Sequence, residues 1–151
     1  MIAIITGDII ASRKVVNQDK WLLPLKSLSN SQSTGLWELE RGDFFQVEVK
    51  NPEDALKKAL QIKALIKKVE PLDVRMAIGI GEKTYTGESI SESNGEAFIY
   101  SGEKFDLLDK EDITLGIKTP WGDFDEEMNL YLKLAGTFMN KWTISSAELM
   151  E

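Results

Sequence analysis

Apolar and polar positions alternate along this chain with two periods, and the switches between them predict its elements. Ile2 to Thr6 is a mostly apolar run of the kind expected for a strand covered on both faces. A short helix is expected near Asp19 to Leu28, limited by Pro24, and residues 29–35 (SNSQSTG) read as a polar loop. Trp37 and Leu39 then alternate with Glu38 and Glu40, and Phe45, Val47 and Val49 with Gln46, Glu48 and Lys50. The turn Arg41-Gly42-Asp43 lies between the two runs, so together they predict a hairpin.

The longest helical pattern opens at NPED, where Asn51 can cap, Pro52 suits the first position and the acids favour the positive end of the dipole. Ala55, Ala59, Ile62, Ile66 and Val69 form one apolar stripe, and Lys57, Lys58, Lys63, Lys67 and Lys68 are expected to form a solvated face. Val74, Met76, Ile78 and Ile80 alternate as a strand in which Ala77 and Gly79 leave room for close packing. A helix is expected from about Glu96 to Leu108, with Ser93 and Glu96 as its capping box, and a last strand through Ile113, Leu115 and Ile117. Phe124, Met128, Tyr131, Ala135, Phe138 and Trp142 recur at helical spacing and read as the core stripe of a final helix.

This order of elements predicts an α+β fold close to the ferredoxin-like β-α-β-β-α-β arrangement, an antiparallel or mixed sheet with helices packed on it. Residues 1–142 are expected to form one domain of the 151-residue chain. Over 143–151, Ser145 and Glu148 announce the start of a C-terminal helix too short to be stable alone, so the chain is expected to be cut from a longer protein.

Charge and composition narrow the chemistry. Acidic side chains number 25 against 18 basic ones, a net charge of −7, which argues against a nucleic-acid surface. The absence of cysteine and histidine removes disulfides, thiolate chemistry, N/S zinc sites and imidazole triads. No apolar run is long enough for a membrane span, so a cytoplasmic protein is expected; a homodimer stays open. Two Gly-Asp pairs remain, Gly7-Asp8 after the first strand and Gly42-Asp43 in the hairpin turn. In a ferredoxin-like sheet these places meet, and two carboxylates suit Mg²⁺ or Mn²⁺ together with substrate phosphates. The alternative is that each pair is only a turn.

The run RGDFFQVEVKNPEDALKKALQIKALIKK, followed by LDVRMAIGIGEKTY and GEAFIYSGEKFDLL, resembles the palm-type catalytic domain of class III nucleotidyl cyclases, and more distantly GGDEF diguanylate cyclases. Including IKTPWGDFDEEMNLYLKLAG, nearly the whole chain resembles the SatD family of bacterial proteins. The resemblance implies Asp8 and Asp43 as metal ligands, and a phosphate-wrapping segment at Ile9, Ile10, Ala11, Ser12 and Arg13. It also marks departures. Leu39 stands where the cyclases carry a base-reading lysine, while Tyr100 and Lys104 replace their asparagine and arginine, leaving Lys104 as a phosphate contact. The expected function is a regulatory domain that binds a nucleotide or other phosphorylated small molecule through a divalent metal, with a helix-turn-helix segment following in the longer protein. One alternative is a metal-dependent nucleotidyltransferase or cyclase-like enzyme with Asp8 and Asp43 catalytic; another is a pure interaction domain.

Overall fold

The first apolar run does not stop at Gly7-Asp8. Strand β1 spans Ile2–Ile10 and puts Asp8 inside the sheet, so the turn reading of this Gly-Asp pair is corrected. Packing explains the glycine: a Cβ on Gly7 would lie 2.5 Å from Cζ of Phe45, its neighbour on the adjacent strand. The chain turns only at Ala11, whose φ of 66° is left-handed.

The computed structural model describes residues 1–11, 17, 19–28, 34–40, 43–69, 71–85, 94–142 and 149, without the side chains of 19, 26–28, 34–40, 83–85 and 94. Helix α1 (Asp19–Leu28) is followed by the hairpin of β2 (Thr34–Glu40) and β3 (Phe44–Val49). Asn51 accepts the Glu53 amide at 3.2 Å and caps a 3-10 turn, Pro52–Asp54, which leads into α2 (Ala55–Lys67). Next come β4 (Asp73–Gly81), a small ribbon of β5 (Lys83–Tyr85) and β6 (Asn94–Gly95), helix α3 (Glu96–Glu111), β7 (Leu115–Lys118) and α4 (Gly122–Met139). The ribbon was not expected. Gly95, rather than Ser93, stands before α3, so the expected capping box does not start that helix.

The main sheet has the order β2-β3-β1-β4-β7. Its pairings are antiparallel except for parallel β4 and β7, which makes a mixed sheet of the α+β class. Odd positions of β1 (Ala3, Ile5, Ile9) join Phe45, Val47, Met76 and Ile78 in a core with Trp21 and Leu25 of α1 and Ile62 and Ile66 of α2. Across the sheet α3 lies flush on β4. A Cβ on Gly79 would come within 2.3 Å of the Ala97 carbonyl, which bears out the expected close packing. Beneath α3, Thr6 and Ser101 share a buried hydroxyl contact at 3.0 Å, and Gln46 donates to Thr6 at 3.2 Å.

The lysines of α2 do not form one solvated face, because Lys58 and Lys63 are buried. Lys63 donates to Asp73 at 2.7 Å and to the Asn140 side-chain oxygen at 2.6 Å, joining α2 to β4 and to the end of α4. Burial pushes its ammonium below the ordinary value, against the opposing attraction of Asp73. The stripe expected for α4 is borne out at Met128, Ala135 and Trp142, which pack against the core, and corrected at its other three positions. Leu132, Gly136 and Met139 are the buried positions, while Phe124, Tyr131 and Phe138 are exposed. On the outer edge of β7, the Asn129 side chain accepts the Ile117 amide at 2.8 Å and donates to the Ile117 carbonyl at 2.9 Å, as a further strand would. No described helix is long and apolar enough to cross a membrane.

Candidate functional site

The pairing of β1 with β3 brings the two candidate aspartates to one end of neighbouring strands. Asp8 stands opposite Phe44, and the Ile9 amide donates to the Asp43 carbonyl at 2.8 Å. Asp8 and Phe44 share the face covered by α3: the Phe44 ring meets Phe105 edge-on at 5.8 Å between centroids. Asp43 precedes Phe44 by one residue and lies in the turn, so the turn rather than the pleat directs its half-buried side chain.

On the other side of β1, Asp8 is opposite Arg75 of β4. Arg75 Nε donates to Asp8 Oδ1 at 3.1 Å and Nη2 donates to Oδ2 at 2.9 Å, a bidentate fork that engages both carboxylate oxygens. Nη1 donates to Asp109 near the end of α3 at 2.7 Å. The hydrogen bonds to Asp8 come first in raising the Arg75 guanidinium above its ordinary value, with the charges of Asp8 and Asp109 adding to them against partial burial. One arginine thus ties β1, β4 and α3 together. Neither Arg75 nor Asp109 was singled out from the sequence; the available signal was a basic residue at the polar phase of the strand LDVRMAIGIG.

The expected phosphate segment divides. Ile9 and Ile10 belong to β1, the Ile9 side chain is buried in the core and its amide is taken by Asp43, which corrects their placement in a loop. Ala11 opens the turn, and Ser12 and Arg13 lie outside the described residues. Lys104 is buried on the far side of β4, its stem across Gly116 of β7 and its ammonium 3.1 Å from Glu111. The structure does not bring it to Asp8, because β4 separates the two strands concerned. Leu39 lies in β2 with its side chain undescribed. Tyr100 sits on the outer surface of α3, donates to Glu96 at 3.1 Å and has the Lys118 ammonium 5.4 Å from its ring centre; the bond to Glu96 raises the phenol above its ordinary value.

As a donor set, two aspartates fit a hard cation that also takes water and phosphate oxygens. Among the described residues no group of three or more His, Cys, Asp or Glu side chains is gathered for a metal. A cation reaching Asp8 would compete with a guanidinium already seated on it. A charged ligand at the β1–β3 end would have to exchange one partner of Asp8 for another. Neither a scan of protein-family models nor a search of curated proteins found a match to this chain.

Proposed function

We propose that this chain is a SatD-like regulatory domain with a ferredoxin-like palm, taking a nucleotide or other phosphorylated ligand together with Mg²⁺ or Mn²⁺ in the cytoplasm. The strand order β4-β1-β3-β2, with α1 and α2 as connections, supports the palm. The observation that carries the ligand reading is the 2.8 Å bond from the Ile9 amide to the Asp43 carbonyl, which sets Asp8 and Asp43 on adjoining backbone at one end of the sheet. Asp8 and Asp43 would hold the cation, and Arg75, once released from Asp8, is a fork matched to phosphate. The Asp8–Arg75 pair favours a binder over a nucleotidyltransferase, because a catalytic metal centre needs its carboxylates available for ions in every turnover.

A thermal-shift series of nucleoside triphosphates with and without Mg²⁺ or Mn²⁺ tests this, since a ligand that binds only the folded state raises its melting temperature. The expected result is a metal-dependent shift, reduced in Asp43→Asn, with the triphosphate recovered intact after long incubation. Metal-dependent release of pyrophosphate, lost in both Asp8→Asn and Asp43→Asn, would establish the enzyme instead. Shifts that are absent, or unchanged in both variants, would leave the interaction-domain reading, which the exposed aromatic face of α4 favours.

A further inference from the structure

Helix α4 is apolar over more of its circumference than the domain covers. Leu132, Gly136 and Met139 face β7 and the core, while Phe124, Leu130, Tyr131, Leu134 and Phe138 remain 41%, 56%, 53%, 58% and 76% exposed. Phe124, Tyr131 and Phe138 recur every seven residues, and Leu134 fills the space between the last two. Trp121, 51% exposed, extends the patch by packing edge-on to Phe124 at 6.4 Å. The Tyr131 hydroxyl is engaged with Glu127 at 2.7 Å, so this residue offers its ring rather than a polar group. With about 150–250 Å² available on each aromatic side chain when fully exposed, the four rings present about 330–550 Å², and Leu130 and Leu134 add to it. This reaches the upper end of the largest apolar patch of a typical monomer, about 300–600 Å². It is a large part of the roughly 800 Å² that each partner contributes to a standard interface.

We infer that this face pairs two copies of the chain, α4 against α4 and antiparallel, about a two-fold axis beside Tyr131 and Leu134. Charge selects both the occupant and the direction. The exposed seam begins with Asp123 and Glu127 and ends with Lys141. A parallel pair would set the acids against each other, whereas an antiparallel pair brings Lys141 of each copy to the first turns of the other. Shape agrees with this direction. A pocket of about 230 Å³ lined by Pro52, Leu56, Ile80, Ile117, Phe124 and Met128 opens beside the start of α4. The same axis carries Phe138 of the opposite copy over Phe124 and Met128, so a protruding ring meets an apolar hollow. Each copy gives one ring and receives one, which closes the assembly at two.

Sedimentation velocity on the 151-residue chain tests the inference. The wild type is expected to sediment at twice its 17.0 kDa mass. Phe138→Glu is expected to return it to the single-chain mass at the same concentration with an unchanged circular-dichroism spectrum, since the ring it replaces is 76% exposed. Leu134→Lys should act likewise. Lys141→Glu should weaken the dimer at least several-fold, and adding Glu127→Lys should restore it. A wild type that stays at 17.0 kDa into the submillimolar range would overturn the inference. So would a dimer that Phe138→Glu and Leu134→Lys both leave intact.

Discussion

Arg75 holds both carboxylate oxygens of Asp8 across the β1–β4 pairing while its remaining nitrogen reaches Asp109 of α3. The Asp8 and Arg75 side chains are 22% and 29% exposed, between a solvated surface pair and a fully buried one. Their coupling in an Asp8→Asn, Arg75→Gln double-mutant cycle is therefore expected at about 1–2 kcal/mol, read by urea denaturation. Arg75→Gln also removes the competitor for Asp8, so Mn²⁺ alone should bind this variant several-fold more tightly than wild type. Unchanged Mn²⁺ binding would mean that Asp8 is not a cation ligand.

Lys63 is buried in a network that uses its side-chain nitrogen as a donor, while burial disfavours its charge. Lys63→Met removes one donor each from Asp73, which keeps the Val74 amide and Lys67, and from Asn140, which keeps the Thr114 hydroxyl, and is expected to lower stability by about 1–3 kcal/mol. The pH dependence has a definite sign. Burial holds the folded-state pKa of Lys63 below 10.5, so between that lowered value and 10.5 the unfolded chain binds more protons and the Lys63 contribution to stability rises with pH. The stability gap between wild type and Lys63→Met should thus widen as pH climbs toward 10.5. A gap that narrows there would contradict the assignment.

Two glycines on the α3 side of the fold should respond in opposite directions. Gly79→Ala drives a methyl group to 2.3 Å from the Ala97 carbonyl and 2.4 Å from the Ser101 amide, and this backbone cannot yield without lifting α3. A loss of about 1–3 kcal/mol is expected. Gly102 lies inside α3 with nothing within 4 Å of its added Cβ, so Gly102→Ala should gain about 0.5–1 kcal/mol. Thermal denaturation of the pair decides, since equal effects would deny the close approach of α3 to β4.

Asn129 satisfies both main-chain groups of Ile117 at the free edge of β7. Asn129→Leu keeps the volume and removes both bonds, which should cost about 2 kcal/mol. The Ile117 amide should also exchange with solvent faster than in wild type. Protection that persists in the variant would show that Asn129 is not its guard.

Elements with strong local signals were legible. The bounds of α1 and the alternating strands of the hairpin and β4 followed from pattern alone. The end of β1 did not, because Gly7-Asp8 carries a turn signal while the reason for that glycine is a ring on another strand, Phe45. The covered side of α4 was equally hidden. Its rows through Met128, Leu132 and Met139 and through Phe124, Tyr131 and Phe138 are both apolar, and periodicity cannot tell which one meets the sheet. Of the site, the placing of the Asp8 and Asp43 backbone at one end of neighbouring strands was readable from topology. The Asp8–Arg75 pair depends on a register set between residues far apart in sequence and had no local signature.

The position of β1 in the middle of the sheet has a consequence for synthesis. The strand needs β3 and β4 on its two edges, α2 over one face and α3 over the other, and α3 ends only at Glu111. As the chain leaves the ribosome, the apolar segment from Ile2 to Ile5 emerges well before any of its neighbours. It must wait until β3, β4 and α3 have been made, with its hydrogen-bonding edges open, a long-range closure of the kind that folds slowly. Newly made chain should therefore depend on chaperones that grip short aliphatic segments, and its yield should fall most sharply when translation outpaces them.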